Sequence, residues 1–167
     1  DISAILVTHD RDEAFRIARE IATVDRGQLT PPMDKHELFR NPGTRAATTL
    51  TGCKNISAAR RLDADHVEAT DWGITLRVAD SETDVQHIAI RAHYLTLAEE
   101  GAESALPARV AEVIESTFTY IVMLRFAEEG LPIRWEIAKA TWLPLDAGLG
   151  DTLYFRFPVD ELMLLRD

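Results

Sequence analysis
The chain has 167 residues, with 18 Lys and Arg against 28 Asp and Glu, a formal net charge of −10, and 46% hydrophobic residues. That length allows one ordinary domain or two small ones, and the apolar share builds a core, which excludes global disorder. So acidic a chain repels phosphate backbones at long range, which argues against nucleic acid as the main partner, although adjacent Arg60 and Arg61 leave a local basic site open.

Residue 1 is Asp, with no basic stretch before the first apolar run, so no signal peptide is expected. The missing initiator Met points to a processed chain or an excised piece of a longer protein. Ile2 to Val7 reads as a buried strand of the parallel kind, because Ile, Leu and Val follow one another without alternation. It ends in Thr8-His9-Asp10. Asp10 or Thr8 can cap a following helix, with Asp12 and Glu13 well placed for its dipole. Ala14, Ile17, Ala18 and Ile21 fall at helical spacing and form one apolar stripe. Ile21 to Leu29 then reads as a strand turning at Asp25-Arg26-Gly27, so the opening is a strand–helix–strand pattern that normally sits in a parallel sheet. Pro31 and Pro32 break regular structure. Asp34 with Glu37 makes a capping-box pattern for a short helix through Phe39. Pro42 suits the first position of another helix, running to about Leu50 and stopped by Gly52.

From about Asn55 the texture changes. "HVEAT", "GITLRVA", "VQHIAIRA", "ARVAEVIES", "YIVMLRFA", "IRWEIA" and "TLYFRFP" are short segments separated by turn residues. They are spaced by ~8–14 residues, as in a small β-barrel or sandwich. In "YIVMLRF", Ile121, Met123 and Arg125 oppose Val122, Leu124 and Phe126. No apolar run approaches the ~20 residues that span a bilayer. The single Cys53 allows neither an internal disulfide nor a Cys-based zinc site, which suits a reducing cytoplasm. The chain thus divides into an α/β segment (1–30), a helical connector (31–52) and a β-domain (53–167).

These residues carry a resemblance. "ILVTHDRDEAFRIAREIATVDRGQL", together with "HELFRNP", resembles the last part of an ATP-binding-cassette (ABC) ATPase domain, over roughly residues 2–52. "VEATDWGITLRV", "IAIRAHYLTL" and "PARVAEVIESTFTYIVMLRF" resemble the C-terminal TOBE domain, an oligomer-binding-like (OB-like) barrel that follows the ATPase in importers for molybdate, sulfate, sugars, polyamines and iron. "IRAHYL" sits where such chains carry Ile-Arg-Pro/Ala-Glu/His-Asp, and Tyr94 departs from the acidic residue common there. The fold so implied is mainly β: a small OB-like (TOBE) barrel preceded by an α/β remnant of the ATPase domain. The resemblance implies that His9 is the switch histidine, which contacts the γ-phosphate of ATP at the dimer interface. The P-loop is absent: the only lysines are Lys35, Lys54 and Lys139, and none follows a glycine. Phosphoryl transfer needs a backbone cradle, a Lys, a metal and a positioned water. ATP and Mg are therefore expected in the intact protein, and no cofactor and no hydrolysis in these residues alone.

Each feature also has a plainer reading. His9 can be an ordinary surface or capping histidine; a neutral imidazole at a strand's carboxyl end can equally donate to a phosphate oxygen. Asp10 beside it raises a His–Asp metal hydrolase, but His36, His66, His87 and His93 are scattered without metal-ligand spacing, so no metal site is assigned. Trp72, Trp135 and Trp142 fill a core or interface in preference to lining a pocket. Cys53 reads as a small, part-buried residue near the domain junction. "ESTFTY" is either an ordinary Thr/Ser-rich run or an anion-facing turn, with Ser116, Thr117, Thr119 and Arg125 as candidate anion ligands near one strand turn. The leading expectation is a regulatory and dimerisation region of an importer ATPase subunit. Its partners would be transmembrane permease subunits, a second ATPase subunit and a small oxyanion, at the cytoplasmic face of the membrane. The "GCKNIS" junction and the barrel texture lean toward molybdate or sulfate. A small-anion sensor is the alternative, and an oligonucleotide-binding barrel a weaker third that the charge disfavours. The α/β segment is expected to pack on the β-domain or to pair with the same segment of another chain, because its apolar stripe and strand edges would otherwise meet water.

Overall fold
The computed structural model describes residues 4–79 and 84–167. Residues 4–10 form no strand, and Ile5 and Val7 are 96% and 90% exposed. The strand expected at Ile2 to Val7 is thereby corrected, with Ile2 itself outside the described residues. An apolar run of this kind becomes a strand only between neighbours that satisfy its backbone groups, and no ladder among the described residues includes it. The parallel sheet is corrected too, since every described ladder is antiparallel.

Helix α1 (Arg11–Ile17) starts where the caps place it. The Asp10 carboxylate accepts from the backbone N–H groups of Asp12 and Glu13 at 2.9 and 3.0 Å. Thr8 Oγ1 accepts from the Asp10 N–H and donates to Glu13, so both expected caps contribute. The face α1 buries is not the expected stripe, for Ile17 is 64% exposed. Phe15 makes the packing instead, because its ring faces the next helix. A strand β1 (Glu20–Ile21) leads into a hairpin of β2 (Val24–Asp25) and β3 (Gln28–Leu29). Arg26 and Gly27, with φ of +48° and +78°, turn the hairpin as a type I′ turn requires. β1 is closed by β4 (Met33–Asp34), and α2 (Lys35–Arg40) follows at once, capped by Asp34. Phe15 sits edge-on to Phe39 at 4.9 Å and to His36 at 5.2 Å, and Lys35 Nζ donates to the Phe15 carbonyl. Pro42 does not open the next helix: α3 (Arg45–Leu50) begins three residues later with Thr44 as its cap, because Gly43 turns the chain at φ +73°. Gly52, at φ +92°, ends it as expected.

The remaining strands are β5 (Asn55–Arg61), β6 (His66–Ala69), β7 (Ile74–Arg77), β8 (His87–Ile90), β9 (Thr96–Ala98), β10 (Leu106–Glu115), β11 (Thr119–Arg125), β12 (Ile133–Ala138), β13 (Thr152–Arg156) and β14 (Met163–Leu165), with a short helix α4 (Lys139–Trp142) after β12. They form two five-stranded sheets in the orders β14-β8-β5-β6-β7 and β12-β11-β10-β13-β9. The fold is mainly β and OB-like, as the chain texture implies. Between the sheets lies one core in which Val67, Ile88, Val110, Val122, Leu124, Ile133 and Phe155 are fully buried. Each such side chain contributes about 1.5–3 kcal/mol of burial. β8 is covered on both faces: Ile88 and Ile90 point into this core, while Ala89 joins a second cluster of Cys53, Met163 and Leu165. Trp72, Trp135 and Trp142 are core residues, 2–5% exposed. The outer edge of β12 is not left open. The buried Asn55 amide accepts from the Arg134 N–H at 2.8 Å and donates to the Arg134 carbonyl at 2.7 Å, and the Glu136 N–H reaches the Ala92 carbonyl. These bonds close the seam between the two sheets.

Candidate functional site
His9 lies exposed in the bend that precedes α1. It stands beside Asp10, whose carboxyl is held below its ordinary value by the backbone N–H groups of Glu13 and Asp12. Among the described residues, no cluster of three or more potential metal ligands includes His9.

A cleft of about 590 Å³ opens where α1, the connector and the sheet seam meet. α1 contributes Arg11 and Asp12, and the segment after α3 contributes Lys54. Arg91 and His93 enter from beyond the end of β8, and Thr119, Arg134 and Glu136 from the second sheet. Four cationic side chains therefore face two carboxylates, in a chain that is acidic overall. Their states differ. The Arg91 guanidinium donates to the carbonyls of Phe39 at 2.6 Å and Thr51 at 3.0 Å, so it terminates both α2 and α3 and is spent on structure. Arg134 Nη2 reaches Glu136 at 3.4 Å, and its Nε is buried without a hydrogen-bond partner. Lys54 and His93 are exposed, and Arg11 is half exposed, 3.6 Å from Asp12. The Arg11 guanidinium also lies over Gly52, where a Cβ would collide with it.

The candidate anion ligands are divided by the fold. Ser116, Thr117 and Thr119 sit together at the turn between β10 and β11, closed by the Ser116 N–H bonding to the Thr119 carbonyl. Arg125 is at the far end of β11, roughly 20 Å away at the rise of an extended chain. There its guanidinium donates to the carbonyls of Gly130 and Glu128. The expectation that all four share one strand turn is corrected, because turn and Arg125 lie at opposite ends of one strand. Of the four, Thr119 alone lines the large cleft.

Three further groups are placed by the fold. His66 Nδ1 lies 2.9 Å from Asp63 and 3.1 Å from Asp65, and these three offer ligand atoms within 4.8 Å of one another. They are exposed or half-buried, Arg77 pairs with Asp65 at 3.7 Å, and the bond from His66 holds Asp63 below its ordinary value. The cluster is an ion-paired turn that the even scatter of histidines conceals. Arg60 and Arg61 do not act as one basic site. Arg60 pairs with Glu68 at 2.6 Å, while Arg61 donates to the carbonyls of Asp63 and Ala64. Cys53 is buried at 3% exposure, and burial pushes its thiol up, which makes it a poor nucleophile.

No protein-family model matches the chain. Its homologues are ATP-binding subunits of ABC importers, matched by their C-terminal part. It is 26% identical to the putrescine transport ATP-binding protein PotG of Escherichia coli (strain K12), over 70% of this chain and 33% of that protein. It is 24% identical to the Fe(3+) ions import ATP-binding protein FbpC of the same strain, over 62% of this chain and 30% of that protein. It is 19% identical to the sulfate/thiosulfate import ATP-binding protein CysA of Mannheimia succiniciproducens, over 92% of this chain and 44% of that protein. The chain spans about a third to under a half of the length of these curated relatives. Among solved structures, the molybdate-bound form of the cytoplasmic molybdate-binding protein ModG matches in fold. The TM-score is 0.52 at 13% identity, covering 70% of this chain and 98% of that one. No helix among the described residues is long and apolar enough to cross a membrane.

Proposed function
We propose that the chain is the C-terminal regulatory and dimerisation region of an ATP-binding subunit of an ABC importer. Residues 1–30 are then the end of the ATPase domain, 31–52 a helical connector and 53–167 the regulatory domain. The observation that carries this reading is the similarity to CysA, 19% identical over 92% of the chain, a share too large to leave out the helices or either sheet. Ile5, Leu6, Val7, Ile17, Val24 and Leu29 support it: all are exposed, and they form the kind of surface that the rest of an ATPase domain covers. In the intact subunit, a homodimer on the cytoplasmic side of its permease, ATP and Mg drive solute uptake and His9 contacts the γ-phosphate. The 167 residues alone hold no P-loop lysine and do not hydrolyse ATP. The relatives differ in cargo by their names, so the solute is set by other subunits. The test is ATP hydrolysis by the full-length subunit. His9→Ala should lower turnover at least a hundredfold while leaving ATP binding intact; unchanged turnover would overturn the reading.

The likeness in fold to ModG favours a second role for the same domain, sensing a small oxyanion such as molybdate or sulfate, with Ser116, Thr117 and Thr119 as the candidate turn. Titration with molybdate, tungstate and sulfate, with mass followed by light scattering, tests it. Micromolar binding by a dimer supports a sensor; the absence of any binding leaves a structural and dimerisation module.

A further inference from the structure
We infer that the cleft between α1 and the sheet seam is a binding site for a small organic phosphate, independent of the oxyanion-sensing role at the turn. The first argument is charge. Arg11, Lys54, Arg91 and Arg134 converge on one cavity that holds two carboxylates, Asp12 and Glu136, in a chain whose acidic residues outnumber its basic ones by 28 to 18. The two carboxylates pair with Arg11 at 3.6 Å and with Arg134 at 3.4 Å, which leaves the exposed Lys54 as the cation a bound anion would engage first. The second is an orphaned donor. Arg134 Nε is buried without a partner, and its Nη2 contact to Glu136 is long at 3.4 Å. Buried donors are nearly always satisfied, and a phosphate that draws the Arg134 side chain, 32% exposed, further into the cleft would accept from Nε and Nη2 together. The third is size. About 590 Å³ falls in the middle of the ~300–1,000 Å³ range of small-molecule sites. A bare tetrahedral ion would leave most of the cavity empty, whereas the remainder of an organic phosphate can lie against Phe39 and Ala92, with Thr119 and His93 as polar neighbours. Arg91 stays with its helix carbonyls and holds the wall in place.

Bound there, the ligand ties Arg11 of α1 to Arg134 of β12 and so fastens the helical segment to the barrel. Calorimetric titration of the chain with AMP, glucose 6-phosphate, inorganic phosphate and molybdate tests the site. At least one organic phosphate should bind ten times more tightly than inorganic phosphate. Arg134→Gln and Lys54→Gln should each weaken it at least tenfold, with thermal melts unchanged for the exposed Lys54. The Ser116→Ala, Thr117→Ala double substitution should leave it unaltered. Failure of every phosphate to bind, equal binding of inorganic phosphate, or binding indifferent to both cleft substitutions would each overturn the inference. Molybdate bound through Ser116 and Thr117 with no phosphate bound in the cleft would overturn it while leaving the oxyanion-sensing reading standing.

Discussion
Asp10 shows how one carboxylate sets the start of an element. It is the only acceptor for two N–H groups at the head of α1, and those bonds favour its charged form. A carboxyl whose folded value is depressed contributes stability that is present above its unfolded value and lost as pH falls through the folded one. The amide proton shifts of Asp12 and Glu13 should therefore titrate together with a midpoint below 3.8, the ordinary Asp value. Asp10→Asn, which keeps the acceptor oxygen and removes the charge, should abolish that titration. Two-dimensional NMR across pH 2 to 6 decides the matter, and a common midpoint at or above the ordinary value would reject the capping account. His9 is one residue away and exposed, and its charge when protonated adds to the effect that favours the Asp10 carboxylate.

At the scale of elements, the two sheets meet at turns as well as at the seam. Gly130, in the β11–β12 loop, is buried, and the adjacent Leu131 N–H donates to the Asp71 carbonyl at 2.6 Å. A Cβ on Gly130 would collide with the Trp72 carbonyl oxygen, a backbone atom that no rotamer change can clear. Gly130→Ala should cost about 1–3 kcal/mol as overpacking and lower the melting temperature by roughly 2–10 °C for a chain of this size. Gly148→Ala, where the nearest atom to a new Cβ is Asp151 Oδ2 at 3.9 Å, should shift it far less. Equal melting temperatures for the two variants would show that the loop gives way freely. The strands around this contact are the ones with visible period-2 burial: Val122 and Leu124 are inside and Ile121 and Met123 half-buried, as the alternation of β11 requires. β5, β9 and β14 escaped notice for physical reasons. β5 is rich in Ala and Arg and draws its stability from partners on both sides, while β9 and β14 are three residues long. The apolar run before His9 misled in the opposite sense, since composition promises a strand only where neighbours exist to pair with it. The cleft was illegible because its cations lie at positions 11, 54, 91 and 134, brought together by closure of the seam rather than by any spacing along the chain.

For the whole molecule the question is what makes the helices and the barrel one body. Phe15 ties α1 to α2, and the helical connector is tied to the sheets by Arg91 and, after β14, by the Arg45 N–H donating to Asp167 and the Arg166 N–H to the Gly43 carbonyl. The Arg91 guanidinium donates to the last-turn carbonyl of α2 and to the carbonyl and hydroxyl oxygens of Thr51 at the end of α3, while its backbone continues directly from β8. One cation thus completes two helix C-termini whose carbonyls would otherwise lack partners. Removing it should loosen the connector while leaving the core between the sheets, with Val110, Val122 and Phe155 at its centre, in place. Arg91→Ala should cost the connector about 1.5–3 kcal/mol, the range for charged hydrogen bonds, and so raise amide exchange in α2 and α3 roughly 10- to 150-fold. Amides of β10, β11 and β13 should exchange at their original rates, because those strands hold one another through Val110, Val122 and Phe155. Hydrogen exchange read by mass spectrometry separates the alternatives. Selective loss in residues 35–51 makes Arg91 the rivet between two folding units. Uniform loss through both sheets would make connector and barrel a single cooperative body, and motion of the helices relative to the barrel would then have no hinge at this point.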